Sequence, residues 1–527
     1  MSRLDRREFL KSSALISAAA MTGFSMENKS MKRAPNVLII FPDQLRRYAA
    51  GYWSNSPYRE HVIGEPDPVV TPNIDELASG GLVFTNAISN SPVCSPHRGM
   101  LLSGMYPEKN GLTTNCHKSK AVGLKQDVVA ITDVFHGAGY NTAYFGKCHW
   151  VRTDPVFDQK DSYVGSNVKP GGRYINSFDT YVPPGPHRHG IEYFYQTIRD
   201  SHCDPLVYSS DPQANEGKPD GTPGEPKQLS TKLECNTILE YLKNSHGQRD
   251  PDKPFFAIWS INPPHGSWSD KHVETKYRDL YYNTEKFPET GDLLVRKNLI
   301  KNAAAEVKHA RNYFSAVSSV DHYVGKVLKQ LRDQRMLDNT LVLFTADHGE
   351  YLGSHHHHGK NGPYLEAYGV PLIASWPGKI KPGVDHNMVS VPDLFPTILG
   401  LTGMAADTPS AVQGVNYAPL ITAPKTAKVK PATDALLSLN AGNKRGIITD
   451  EYVLVVNGDV EEVQDAKKVG DFLFDNRNDV YQTRKIPLAE RPKVANVLLA
   501  RLAARLREID DSWWREKRRS DIIPWPD

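Results

Sequence analysis

Pro35-Asn36-Val37-Leu38-Ile39-Ile40-Phe41-Pro42-Asp43 is the stretch on which the fold turns. An unbroken apolar run of this length, ending in a proline and an acid, reads as a strand buried on both faces with Asp43 at its C-terminal end. Similar runs recur at Asn141–Phe145, Phe255–Ile261, Thr340–Thr345 and Pro371–Trp376. Helical patterns lie between them, at Val128–Gly137, Gln228–Asn244 and His309–Met336. Strands alternating with helices predict an α/β fold: a large, mostly parallel mixed sheet flanked by helices. In such sheets functional groups gather beyond the carboxyl ends of the strands.

Outward from this core the pattern breaks twice. Residues 151–227, rich in Gly, Pro, Asp and Tyr, read as a long insertion on the substrate side. A polar break after about residue 405 separates a main domain, 31–405, from a C-terminal α+β subdomain, 406–527. In that subdomain Lys444–Val456 and Gly470–Phe474 read as strands and Pro492–Trp514 as an amphipathic helix. The first 30 residues differ in kind. Arg6-Arg7-Glu8-Phe9-Leu10-Lys11 precedes a short apolar run, Ser12–Phe24, which resembles a twin-arginine signal peptide. That implies the twin-arginine translocase as a partner and a periplasmic or secreted location. No later segment is apolar enough for a stable membrane anchor. The net charge of +3 gives no electrostatic case for nucleic acid.

Five cysteines, Cys94, Cys116, Cys148, Cys203 and Cys235, form no Cys-x-x-Cys pair and support no zinc cluster. An odd number in an exported chain gives one of them another task; disulfides among the other four stay open. Cys94 stands in Ser91-Pro-Val-Cys-Ser-Pro-His-Arg-Gly99. With Pro96 in a first helical turn, the cysteine lies at a helix N-terminus, which favours anions. Taken singly, a buried structural cysteine is the plainer reading. Asp43-Gln44 and Asp347-His348 each follow an apolar strand, and a parallel sheet brings both to one edge. Their oxygens suit a hard cation, although an acid after a strand is more often a turn or helix cap.

Together these segments resemble the type I sulfatase family of the alkaline phosphatase-like superfamily. Cys94-Ser-Pro-His-Arg98 followed by Gly-Met-Leu-Leu-Ser-Gly-Met-Tyr-Pro is similar to its first signature, and Gly139 to His149 to its second. Asn36–Gln44 and Asp347-His-Gly-Glu-Tyr-Leu-Gly resemble its metal-binding segments; Asn-Pro-Pro-His265 and Gly359-Lys360 fall in the family's order. The resemblance implies that a formylglycine-generating maturation enzyme oxidises Cys94. The hydrated aldehyde offers one hydroxyl to attack sulfur and a second whose deprotonation expels sulfate. It further implies that Asp43, Gln44, Asp347, His348 and the residue made from Cys94 bind Ca²⁺, with Mg²⁺ the lesser alternative. Arg98 and Lys147 would stabilise developing charge and His149 relay a proton. His265 and Lys360 would contact the sulfate and the leaving oxygen, His265 as general acid. The chain departs from the commoner pattern at Gln44 (often Asp), His348 (often Asn) and His97 (often Ser).

The expected substrate is a sulfated carbohydrate. Arg152, His187, Arg188 and His189 in the insertion, and His355 in the run His355–His358, are the expected sugar contacts, with Trp150, Arg173 and Tyr174 near them. Packing of the insertion against the core is the plainer role for most of these. Two other functions stay open: a phosphate or phosphonate monoester hydrolase of the same superfamily, and a glycan-binding pseudoenzyme.

Overall fold

The computed structural model describes residues 34–117, 120–152, 179–198, 202–282, 303–440, 443–458 and 470–513. The N-terminal segment expected to be a signal peptide, and Arg173 and Tyr174, lie outside them.

Ten strands build the main sheet: β1 (Asn36–Asp43), β2 (Leu82–Ile88), β3 (Asn141–Gly146), β4 (Tyr193–Ile198), β5 (Leu206–Ser209), β6 (Phe255–Pro264), β7 (Thr340–Phe344), β8 (Gly369–Val370), β9 (Ile373–Ser375) and β10 (Gly383–Ser390). Their order is β10-β2-β9-β7-β1-β6-β3-β4-β5, with β8 paired to β2. The four central strands β7-β1-β6-β3 are mutually parallel. All eight residues of β1 are buried, as expected for a strand covered by helices on both faces. Ile39 pairs with Ile258 on one side and Leu343 on the other, so the carboxyl ends of these strands share one edge. The register of β1 on β6 slips between Pro42 and Asp43, which pairs with Pro264; such a bulge re-aims the side chain that follows it.

Helices Ser230–Lys243 and Ala303–Asp333 cover the sheet close to where the periodicity predicts. The insertion departs from expectation. Its described parts, 179–198 and 202–227, are not only loop: β4 and β5 extend the sheet beyond β3. Tyr193-Phe194-Tyr195 packs there among buried aromatics, where the Gly- and Pro-rich flanks mask a short strand signal.

A second sheet is wholly antiparallel, in the order β11 (Ala435–Leu439), β12 (Lys444–Ile448), β13 (Tyr452–Asn457), β14 (Phe472–Asp475) and β15 (Ile486–Pro487). Lys444–Val456 is thus a hairpin broken at Thr449, and Pro492–Glu508 packs against it. This sheet docks beside the segment that leads to Cys94. Asn90 donates its amide to the Leu436 carbonyl at 2.7 Å, and its own carbonyl accepts the Ser438 N–H at 2.7 Å. Arg445 adds a buried anchor, donating to Asp511 and to Glu108.

Candidate active site

Cys94 opens a ten-residue helix, Cys94–Ser103, that ends at Gly104 in the left-handed region (φ 65°). Every side chain of that helix is buried, so its sequence Cys-Ser-Pro-His-Arg serves the interior rather than a surface. Cys94 therefore projects from a helix start toward the strand ends, where backbone N–H groups favour negative charge.

Four side chains from three places in the chain meet there. Ligand atoms of Asp43, Cys94, Asp347 and His348 lie within 4.8 Å of one another. The Cys94 Sγ is 3.7 Å from Asp43 Oδ1 and 3.3 Å from His348 Nε2. The His348 Nε2 in turn lies 3.5 Å from Oδ1 of each aspartate. Its Nδ1 donates to the Gly349 carbonyl at 2.9 Å, which turns the Nε2 lone pair toward the cluster. The two carboxylates are divided between two tasks. Their Oδ2 atoms receive Arg98 Nη2, at 3.0 Å from Asp43 and 3.2 Å from Asp347, and Asp43 Oδ2 also meets Lys147 Nζ at 3.0 Å. Their Oδ1 atoms face His348 and, for Asp43, the thiol. Two buried carboxylates and an imidazole lone pair fit a divalent cation.

The electrostatics follow this arrangement. Burial and the Cys94 charge push the Asp43 carboxyl up, yet Lys147, His265 and His348 outweigh them and hold it far below the usual range. Asp347 moves the other way, raised by burial and by the neighbouring Asp43 charge. For the Cys94 thiol burial opposes ionisation, but Lys360, Lys147 and His348 bring it well below its ordinary value. A pocket that favours a thiolate this strongly favours any anion at position 94.

Arg98 is more structural than the sequence suggests. Its guanidinium is fully buried and donates to Asp43, Asp347, the Lys147 carbonyl (2.9 Å) and Ser260 Oγ. It braces both carboxylates from behind. Lys147 follows Gly146, which takes φ 100°; a Cβ there would run into the Ser260 carbonyl, so only glycine lets β3 close on β6. His149, also at positive φ (55°), is buried, faces the Cys94 thiol and holds the Cys116 carbonyl through Nε2 at 3.3 Å.

Across the cluster, Lys360 Nζ donates to His265 Nε2 at 3.0 Å and to Gln44 Oε1 at 2.8 Å. Since His265 Nδ1 donates to the Gly266 carbonyl at 2.7 Å, its Nε2 accepts from Lys360 here. Charge on Cys94 and Asp43 keeps Lys360 protonated against the effect of burial. His97, in place of the commoner serine, donates from Nδ1 to Ser89 Oγ at 3.1 Å, while the Ser89 hydroxyl donates to the Asp347 carbonyl.

The expected sugar contacts fare differently. Arg188 is buried, donates to both oxygens of Asp220 (2.7 and 2.8 Å) and to the Val182 carbonyl, and stacks 4.2 Å over Phe194. His189 is buried 3.6 Å from Asp133, and His355 is buried against Tyr364 (ring centroids 3.7 Å apart) and Glu366. Each of these three is buried and held by a carboxylate. His187 is half-buried against the Gln126 side chain, and Arg152 is exposed. The cleft that does adjoin Lys360 is about 350 Å³ in volume and is walled by Ser91, Val93, Thr113, Thr114, Asn115, Asn361 and Asn440. No motif marks these uncharged side chains, and Asn440 comes from the second subdomain, donating to the Thr113 carbonyl at 3.0 Å. All five cysteines are free, so none of the open disulfide pairings forms.

A parallel sheet that gathers two carboxylates, an imidazole and an anion-favouring position at one edge is the frame of a hydrolase of charged esters. The sulfatase family model matches residues 35–404. An endo-4-O-sulfatase of Bacteroides thetaiotaomicron is 37% identical, over 93% of this chain and 95% of its own length. A ulvan-active sulfatase of Formosa agariphila is 28% identical, over 93% of this chain and 84% of its own. A solved Bacteroides thetaiotaomicron structure, described with the metabolism of multiple glycosaminoglycans, superposes with TM-score 0.83 at 37% identity, covering 93% of this chain and 100% of that one. The chain belongs to the sulfatase family, with its alkaline phosphatase-like fold, and is a sulfate ester hydrolase. A phosphonate monoester hydrolase of Silicibacter pomeroyi shares the fold alone, at 20% identity and TM-score 0.59 over 92% of this chain and 96% of that one.

Proposed function

We propose that the protein is a formylglycine- and calcium-dependent carbohydrate sulfatase. The observation that carries this is the convergence of Asp43, Cys94, Asp347 and His348 within 4.8 Å, with Lys147 and Lys360 alongside. Once oxidised and hydrated, position 94 supplies one hydroxyl to attack sulfur and another whose deprotonation releases sulfate. Asp43, Gln44, Asp347, His348 and residue 94 would hold a calcium ion, which would supply Lewis acidity toward the sulfate.

The chain's own groups do the rest. Arg98 fixes the two carboxylates through their Oδ2 atoms, so that their Oδ1 atoms face the cluster. Lys147 and Lys360 give the pocket a surplus of positive charge that favours a sulfate monoester and the charge developing on it. His149, facing position 94, takes the proton whose removal releases sulfate. The Lys360–His265 pair holds a proton beside the leaving oxygen; His265 passes it on and Lys360 keeps that nitrogen supplied.

The similarity to an endo-4-O-sulfatase and to a ulvan-active sulfatase supports a sulfated glycan as substrate, and makes an internal 4-O-sulfate the first linkage to assay. The uncharged wall of Thr113, Thr114, Asn115, Asn361 and Asn440 suits sugar hydroxyls. His187 and Arg152 are the residues of the insertion that remain for more distant contacts. A maturation enzyme acts on Cys94 before the twin-arginine translocase delivers the folded chain to the periplasm. A mass spectrum of the Cys94 peptide, with rates on sulfated glycans, choline sulfate, an aryl sulfate and an aryl phosphate, tests this. Efficient turnover of choline sulfate or an aryl sulfate with every glycan untouched sinks the carbohydrate reading; a faster aryl phosphate rate sinks the sulfatase chemistry.

A further inference from the structure

Glu350 is fully buried two residues past His348. Its Oε1 accepts the backbone N–H groups of Leu352 and Gly359, both at 2.8 Å, and its Oε2 accepts the side-chain amide of Gln44. In this arrangement Glu350 acts only as an acceptor, through both of its oxygens. It therefore draws the NH₂ end of Gln44 to itself and turns Oε1 to the opposite side, where Lys360 donates at 2.8 Å. The backbone of Gln44 has no freedom to adjust. Its N–H donates to Asp347 Oδ1 at 2.9 Å, and its carbonyl accepts from the Tyr313 hydroxyl at 2.8 Å.

We propose that Glu350 is a positioning residue: it fixes which end of the Gln44 amide faces the cation site, and through Gly359 it seats the loop that delivers Lys360. The inference rests on the calcium reading above. Its consequence is specific because amide and carboxylate are nearly the same shape. In E350Q the new side chain must keep its oxygen on the Leu352 and Gly359 N–H groups. Its NH₂ then faces Gln44, which has to flip and present its own NH₂ to Lys360 and to a cation. The reciprocal swap Q44E/E350Q restores the match, since Gln at 350 donates to a carboxylate at 44 whose other oxygen faces the site.

The test is calcium affinity by chelator competition on the purified mature enzyme, read together with the aryl sulfate rate and the melting temperature. Loss of an outer hydrogen-bond partner typically weakens metal binding roughly 10–100-fold, and that is the loss expected for E350Q. Most of it returns in Q44E/E350Q. Wild-type affinity in E350Q overturns the inference, and so does a swap that binds no better than E350Q. Should E350Q fail to fold, the swap is expected to fold and bind; a swap that also fails overturns it. Absence of calcium binding in the wild type overturns the cation reading itself, a result distinct from unchanged binding in E350Q.

Discussion

Two buried arginines, Arg98 at the strand ends and Arg188 in the insertion, look alike one at a time. Each is nearly excluded from solvent, each donates to two carboxylate oxygens, and each lies over a phenylalanine ring, Phe41 or Phe194. The difference is in what surrounds the pair. Arg188 meets one carboxylate, Asp220, and the charges close on themselves. Arg98 meets two carboxylates whose other oxygens still face a third group and, for Asp43, a thiol. A buried ion pair therefore does not mark a reactive site. Like charges forced together, with an acceptor left over, do.

The largest effect that would sharpen this contrast is at position 94. Cys94→Ala is expected to lower turnover by roughly 10⁴–10⁶-fold, as for other covalent nucleophiles, with the melting temperature little changed. Near-wild-type rates in that variant would sink the covalent route. Next come the carboxylates. Chelation, or Asp43→Ala, is expected to cost on the order of 10³-fold or more in kcat, and added Ca²⁺ should restore the chelated enzyme but not the variant; activity indifferent to both would remove the metal from the mechanism. Lys360→Ala should cost about 10²–10⁴-fold in kcat on a glycan and less on an aryl sulfate with a good leaving group, whose oxygen needs no proton. Equal losses on both would deny the Lys360–His265 pair its role in protonation.

On the other side of the comparison, Arg188→Ala is expected to lower unfolding free energy by about 2–3 kcal/mol, because it strands Asp220, while kcat on an aryl sulfate stays near wild type. A selective loss on glycans with unchanged stability would return Arg188 to the substrate. The smallest effect expected is Thr114→Ala, which removes one cleft hydroxyl. A rise in KM for the sulfated glycan of roughly 3–10-fold, the worth of one hydrogen bond, with no change for an aryl sulfate, would identify the cleft as the sugar's seat.

How much of this was legible without coordinates follows the same division. Strand ends were readable because a buried parallel strand is a continuous apolar run, and the residue after it is fixed in place by the sheet. Asp43, Lys147, His265 and Asp347 each follow such a run, and the structure brings them to one edge. The insertion was not readable in the same way. The strands Tyr193–Ile198 and Leu206–Ser209 are short and flanked by turn residues, so their signal is faint. Its Arg and His residues carry chemistry that surface and interior share. The cleft wall was invisible because Thr113, Asn115 and Asn440 carry no pattern, and their meeting depends on how the second sheet docks. Glu350 lay in plain view beside Asp347-His348, but its role needs the position of Gln44, more than 300 residues earlier in the chain.

The hydrogen bond from Asn440 to the Thr113 carbonyl has a bearing on how such enzymes diversify. Every group assigned a part in the chemistry comes from the stretch between Asp43 and Lys360, whereas one panel of the cleft is supplied from past residue 405. One contact of the cleft, Asn440, is thus set apart in the sequence from the reacting groups. Grafting the C-terminal sheet of a relative, with its own residue in place of Asn440, is a route to new glycan selectivity that leaves the reacting groups as they are.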